Sequence, residues 1–231
     1  MNRFDLDVVR RGSLNHELRS HLGNVLKLKA IDCVFDVGAN TGQYAQLLRS
    51  LGYDGEIISF EPVSAVYDVL LENSASDAHW HCFNLALGDK HEQRSIKVYS
   101  SSVFSSFYNA NDYSKKIWNS LEQSREEIVE VRRLDELEEL KPLIASTHNI
   151  LLKIDTQGHD SFVFQGARGL INRVAALQTE VSTIDIYERI ENPCAVLEDY
   201  RQHGFYLSGA FPINREESLA VIEFDCLMVR R

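Results

Sequence analysis

The chain of 231 residues carries only four cysteines, Cys33, Cys82, Cys194 and Cys226, and no two of them form a C-x-x-C pair. That spacing excludes the common zinc frameworks. Three of the four fall in apolar, strand-like runs, so free thiols in a reducing compartment are expected and the location read from the sequence is cytoplasmic. No apolar run approaches the length of a membrane span. The first residues, MNRFDLDVVRRGSLNHELRSHLGNVLKLK, are too charged for a secretory signal. Basic residues are outnumbered, and the net charge is −10. A nonspecific grip on nucleic acid or on an anionic membrane is therefore disfavoured, and neither partner is expected. Prolines number four and form no linker, and there is no repeat or low-complexity tract. What is present, 44% hydrophobic and 25% charged residues, is ordinary for a folded protein. One domain over residues 1–231 is expected, with enough chain for a sizeable core.

Short apolar runs alternate with amphipathic stretches. The spacing predicts a helix over Leu14 to Leu28, within an N-terminal helical cap of residues 1–30. Strands follow at Asp32 to Val37, Glu56 to Phe60 and Trp80 to Leu85, with helices at Gln43 to Leu51 and Ala65 to Asn73 between them. Gly52 sits where a helix-ending glycine is favoured. This β-α-β-α-β order argues for a parallel sheet. Strands at Ser95 to Tyr99 and Ile128 to Val131 flank the aperiodic stretch SSSVFSSFYNANDYSKKIW, so residues 95–133 read as a lid or acceptor-binding insertion. The acidic run from Glu122 to Glu139 reads as a solvated strand-to-helix face. The alternation resumes with a strand at Asn149 to Ile154, a helix at Asp160 to Asn172, a strand at Ala175 to Val181 and a helix at Ala195 to His203. Phe205 to Ser208 and Leu219 to Val229 can close the sheet as an antiparallel pair. The fold class is α/β and Rossmann-like, a mainly parallel sheet with helices on both faces.

The first strand runs into Asp36-Val37-Gly38-Ala39-Asn40-Thr41-Gly42. A dinucleotide loop needs a middle glycine, and Asn40 stands there. A P-loop needs a lysine after its last glycine, and none follows Gly42. Asp36 would also repel a phosphate. A phosphate-free cofactor with a positive centre fits better, and S-adenosylmethionine is one. Asp36 is then suited to its ammonium, directly or through water, while the glycines let backbone pass close. Glu61, 19 positions after Gly42, ends the second strand, where an acid accepts both ribose hydroxyls. That acid suits any adenosine cofactor, and a ligand-free strand-to-helix turn stays open as an alternative.

The blocks VFDVGANTGQY, ISFEP, NLALGD, VRRLDEL, LLKIDTQGHD, FQGA, LQTEVS and EFDCLMVR, taken in order from about Ile31 to Val229, resemble the FkbM-type S-adenosylmethionine-dependent methyltransferases. The resemblance implies the class I methyltransferase fold and methyl transfer to a hydroxyl of a sugar, glycan or natural product. It implies cofactor contacts from Asp36, Gly38, Ala39, Asn40, Gly42, Tyr44, Glu61, Pro62, Ala86, Leu87 and Asp155, with the Ala86 to Asp89 loop near the adenine. In two places the chain departs from the family. Gln157 replaces a glutamate that the family commonly has, and Ser100 to Ser124 matches no block.

An aliphatic hydroxyl must lose its proton as it attacks, so a base is needed within reach. Asp155 at the end of one strand, His159 four residues on, and Glu180 in the next strand are the candidate catalytic residues. Asp155 could instead be a helix cap or make a cofactor-loop hydrogen bond, His159 could be an exposed first-turn residue, and Glu180 could pair with Lys153 or another local cation. Asp155 and Glu180 could also be two ligands of a magnesium or calcium ion. No third carboxylate adjoins them, and a metal is not favoured. Lys153 is given no role. His79 and His81 read as a surface pair. Phe104, Phe107, Tyr108 and Tyr113 are suited to lid packing or to stacking on a sugar, and Tyr187 and Glu188 to acceptor binding. An NAD-dependent oxidoreductase and a non-catalytic cofactor-binding member of the fold are the rival readings.

Overall fold

The computed structural model describes residues 16–188 and 191–231. The first half of the expected helical cap, residues 1–15, lies outside them. Helix α1 spans His16–Leu28 and buries Leu18, Leu22, Val25 and Leu26 along one stripe. Then come β1 (Cys33–Val37), α2 (Gln43–Ser50), β2 (Glu56–Phe60), α3 (Ser64–Ser74) and β3 (Trp80–Phe83). The second half brings β7 (Ile150–Ile154), α6 (Asp160–Gly166), β8 (Val174–Ser182), α7 (Pro193–Gln202), β9 (Phe205–Arg215) and β10 (Val221–Arg230). Between the halves lie β4 (Ala86–Leu87), β5 (Glu92–Tyr99), α4 (Asp112–Ile117), β6 (Ser124–Arg132) and α5 (Leu140–Leu143).

The seven-stranded sheet has the order β3-β2-β1-β7-β8-β10-β9. β1, β2, β3, β7 and β8 pair in parallel, and β10 runs antiparallel to both its neighbours. Central strands buried on both faces read as continuous apolar runs, and CVFDV and ILLKI are fully buried. Phe35, Ile58, Leu152 and Leu177 face one core with Val163, Phe164 and Tyr200. Val34, Ile57, Leu151 and Ala176 face the other with Leu22, Leu47 and Leu48. Helices therefore cover both faces, as expected. No helix among the described residues is long and apolar enough to cross a membrane.

The structure differs from the sequence reading in several places. β3 stops at Phe83, and the chain leaves for a second sheet of order β4-β6-β5, whose shortest strand has no periodicity to read. α6 ends at Gly166, where a Cβ would lie 1.9 Å from the Gly88 carbonyl oxygen, and Arg168–Arg173 continues as a 3-10 turn. β9 runs on to Arg215 through Gly209 and Pro212, because an edge strand tolerates a missing N–H. Within the aperiodic stretch, α4 is capped by Asn111, whose side chain accepts from Ser114 N at 2.9 Å.

That insertion packs on the segment after β8. Asn111 N donates to Ile186 O at 3.1 Å and Glu188 N to Asn109 O at 2.9 Å. Tyr99, Phe104, Leu121, Ile186, Tyr187 and Ile222 form its core. Phe104 and Tyr187 are thus packing residues. At the amino end of the sheet, away from the loops, His79 Nδ1 and His81 Nε2 each meet one oxygen of Glu56, at 2.7 and 3.0 Å. Of the four free cysteines, Cys33 and Cys226 are buried and Cys194 is exposed.

Candidate functional site

The strand order reverses direction at β1, with β2 on one side and β7 on the other. Loops that leave such neighbours diverge, and a crevice opens at the carboxyl ends. Here the crevice is a cavity of about 420 Å3. Its floor is stitched by backbone bonds: Gly38 N and Ala39 N both donate to Phe60 O at 3.0 Å, and Asp155 N donates to Val37 O at 3.0 Å. Gly38 adopts φ 74, and a Cβ there would lie 1.9 Å from the Asp155 carbonyl oxygen. Only glycine fits. Gly42 is needed for another reason. Its missing Cβ faces Trp80 at 2.5 Å, so it lets α2 pack on β3 and does not line the cleft.

Glu61 stands at one end of the cleft and is 5% exposed. Its Oε2 accepts from Asn40 N and its Oε1 from Val63 N, both at 2.9 Å. Burial pushes its carboxyl up to about 7, against the pull of those two amides. Each oxygen keeps a lone pair for a further donor. Beside it, Phe60, Leu85, Ala86, Leu87 and Ile96 make an apolar wall. Asn40, at φ 49, holds its own turn by accepting from Thr41 N at 2.9 Å. Its Nδ2 donates to Ser102 Oγ of the insertion at 2.9 Å.

A polar row crosses the sheet beneath the cleft. Asp36 and Lys153 are direct neighbours in the β1–β7 register, and Lys153 neighbours Gln178 in β8. Lys153 Nζ lies 3.0 Å from Asp36 Oδ1 and 3.6 Å from Asp155 Oδ2. Asp36 is fully buried and does not line the cleft, whereas Lys153 does. The direct grip on an ammonium expected of Asp36 is thus out of its reach, and its charge is spent on Lys153. Tyr44 donates to Gln178 Oε1 at 2.7 Å, and Gln178 Nε2 donates to Asp225 Oδ1 at 3.1 Å. Burial lifts Asp225 to about 6.

Asp155 and Glu180 line the far end of the cleft together. Burial, then the carboxylates Glu223, Asp155, Asp225 and Asp160, push the Glu180 carboxyl well above its ordinary value. Asp155 accepts a hydrogen bond within its own loop, from Gln157 Nε2 at 3.0 Å, and no cation pairs with Glu180 among the described residues. The loop-capping acid is Asp160, whose Oδ1 accepts from Thr156 N at 2.8 Å and from Thr156 Oγ1 at 2.7 Å. Lys153 pairs with Asp36 and Asp155, not with Glu180.

His159 does not line the cleft. It is 2% exposed, its ring stacked 4.6 Å from that of Phe162 and edge-on 4.8 Å from that of Phe107. Burial, aided by Arg94, holds it down to about 3. The turn before α6 aims it under the insertion, and with it Phe107 and Tyr108 are packing residues. Among the described residues, no three His, Cys, Asp or Glu are grouped to hold a metal ion.

Of the residues expected at the cofactor, Gly38, Ala39, Asn40, Tyr44, Glu61, Pro62, Ala86, Leu87 and Asp155 line the cleft. Lys153, Gln157, Gln178, Asn214 and Asp225 line it unforeseen. The signal for Lys153 was a charge inside the otherwise apolar strand ILLKI.

A family model described as "Methyltransferase FkbM domain" matches residues 36–206. No curated protein matches the chain. Similar solved structures include an rRNA methylase from Streptococcus thermophilus, 10% identical, covering 93% of this chain and 95% of its own, with a TM-score of 0.49. Another is a precorrin-6y C5,15-methyltransferase from Geobacter metallireducens, 8% identical over 96% of this chain and 92% of its own, TM-score 0.48. A third, magnesium protoporphyrin IX methyltransferase from Synechocystis, was solved with bound S-adenosylmethionine. It is 10% identical over 96% of this chain and 87% of its own, TM-score 0.46.

Proposed function

The chain belongs to the FkbM methyltransferase family and is an S-adenosylmethionine-dependent methyltransferase, and from that premise we propose that it methylates a hydroxyl oxygen of a sugar, glycan or natural product. The cleft's chemistry fits the cofactor. Glu61 is a buried carboxylate with a free lone pair on each oxygen, which suits a ribose diol. The Leu85–Leu87 wall suits an adenine face, and the backbone of Gly38 to Asn40 suits the methionine part. Asp155 and Asp225 are the cleft carboxylates that can offset the cofactor's positive charge, in place of Asp36.

When bound, S-adenosylmethionine supplies an electrophilic methyl group on a positive sulfur. The protein's task is to hold an acceptor oxygen in line with it and to take the hydroxyl proton. Glu180 receives that proton. It lines the cleft beside Asp155, and because burial raises its carboxyl, the base is its ionised form, whose share grows as pH rises. Asp155, beside it, orients the acceptor. The observation that carries this reading is the joining, in one cleft, of Glu61 at one end with Asp155 and Glu180 at the other.

Calorimetric titration with S-adenosylmethionine, S-adenosylhomocysteine and NAD tests the cofactor. Dissociation constants of about micromolar for the first two, and none for NAD, are expected. Transfer of isotope-labelled methyl to a panel of sugars, polyols, phenols and RNA tests the acceptor. RNA is included because net charge alone speaks against it. Label found only on nitrogen or carbon, including the bases of RNA, would overturn the hydroxyl-acceptor reading.

A further inference from the structure

Between the two cleft carboxylates lies the side chain of Gln157. Its Nε2 donates to Asp155 Oδ1 at 3.0 Å and to Glu180 Oε2 at 2.8 Å. An amide nitrogen has two hydrogens, and each is spent on one carboxylate. Its Oε1 accepts from the Tyr187 hydroxyl at 2.8 Å. The amide cannot be turned over, since its oxygen would then face two carboxylate oxygens. The backbone is held too. Gln157 lies at φ 53, in the left-handed region that glycine favours. Its carbonyl accepts from Ser106 Oγ of the insertion at 2.7 Å. Partners on β8, on the segment after it and on the insertion hold the residue in that conformation.

Two carboxylates this close need a proton, a cation or shared donors between them. The nearest ammonium, Lys153, sits 3.0 Å from Asp36 and reaches Asp155 at 3.6 Å, and no ion pair reaches Glu180 among the described residues. The donors of Gln157 serve the pair whether or not Glu180, whose carboxyl burial pushes up, holds a proton on its other oxygen. A divalent cation would require lone pairs pointing at the same spot, at roughly 2.0–2.6 Å. N–H groups point there instead.

We propose that Gln157 is a positioning residue that stands where a bridging divalent cation would stand, holds Asp155 and Glu180 for the acceptor, and makes methyl transfer by this protein metal-independent. The inference rests on the reading of this end of the cleft as the acceptor end. It has a direct consequence. Gln157→Glu removes both donors and adds a third carboxylate, and so should turn the gap into a site for Mn2+, Mg2+ or Ca2+.

The test is Mn2+ binding to the full chain, followed by loss of the free-ion paramagnetic resonance signal and by calorimetry. Wild type is compared with Glu180→Gln, with Gln157→Glu and Gln157→Ala, and with each of the last two combined with Glu180→Gln, all checked for a cooperative thermal transition. Wild type should show no saturable site that Glu180→Gln removes. Gln157→Glu should bind Mn2+ at least about tenfold more tightly, and the added Glu180→Gln should abolish that gain. A residue with a merely structural role would not create a metal site on substitution. Should Gln157→Glu fail to fold, Gln157→Ala removes the donors without new charge and should still show a weak, Glu180-dependent site. Mn2+ binding by wild type that Glu180→Gln abolishes would overturn the proposal. So would variants that bind no better than wild type. Failure of folded wild type to bind S-adenosylmethionine would instead strike at the reading of the cleft, and the Mn2+ arms would still report on Gln157.

Discussion

Glu61→Gln separates charge from shape at the cofactor end of the cleft. The two side chains are isosteric, but the amide must turn an NH2 toward either Asn40 N or Val63 N, each now donating at 2.9 Å. One of those donors is orphaned, and the ribose hydroxyls lose their charged acceptor. Hydrogen bonds to charged groups contribute about 1.5–3 kcal/mol each. A partial loss of two gives about 2–3 kcal/mol, or roughly 30- to 150-fold in affinity. A pH arm sharpens the test. Glu61 is pushed up to about 7, and donors from a diol bind its ionised form. Affinity should therefore rise about tenfold between roughly pH 6 and pH 8, then level off. Stability without ligand runs the other way. The folded carboxyl sits above its ordinary 4.5, so its contribution is full below 4.5 and is lost as pH rises through about 7. Adenosine is the ligand to use in calorimetry, because it has no group that titrates in this range. The Gln variant should bind weakly and without pH dependence. Binding within about threefold of wild type, or a flat wild-type profile, would refute the assignment of Glu61 to the ribose.

Breaking the buried Asp36–Lys153 pair from one side, by Asp36→Asn or Lys153→Met, should cost about 3–5 kcal/mol in urea unfolding. Exchanging both partners for uncharged residues should recover much of that, and equal losses in single and double variants would show that the pair is uncoupled. Gly38→Ala should abolish a cooperative transition or cost more than about 3 kcal/mol, because its methyl group would overlap the Asp155 carbonyl. Gly23→Ala, in the middle of α1 with nothing within 4 Å of the added atom, should stabilise by about 0.5–1 kcal/mol in the same assay. His159 is held at about 3 in the fold against an ordinary 6.5, so its neutral form contributes stability above 6.5 that is lost as pH falls toward 3. Between those limits the slope should be about 1.4 kcal/mol per pH unit. His159→Phe should remove that part of the slope in acid unfolding, and an unchanged slope would show that the imidazole is solvated.

The strands and helices around the nucleotide-type loop were legible because both periodicities were clean. CVFDV and EIISF are mainly apolar runs of strand length, and Tyr44, Leu47 and Leu48 mark one helix face. The insertion was legible only at its two edge strands, β5 and β6; β4 and α4 were not, since they draw their stability from contacts with segments far along the chain, as Asn109 does with Glu188. Local pattern carries no trace of such pairing. The same division runs through the site. That Gly38, Asn40 and Glu61 line the cleft was legible because their positions relative to strand ends depend on local chain geometry alone. Asp36 and His159 were expected in the cleft and are turned away from it, one by a lysine on the neighbouring strand, the other by an aromatic pocket under the insertion.

The sequence by itself determined the α/β order, the cofactor loop and the resemblance to a methyltransferase family, since each depends on residues close together in the chain. Only the tertiary structure decided which acids face the cleft and what holds them. That depends on strand register, which sets Asp36 beside Lys153 and Asp225 beside Glu180, and on a glutamine side chain that reaches from one strand end to the next.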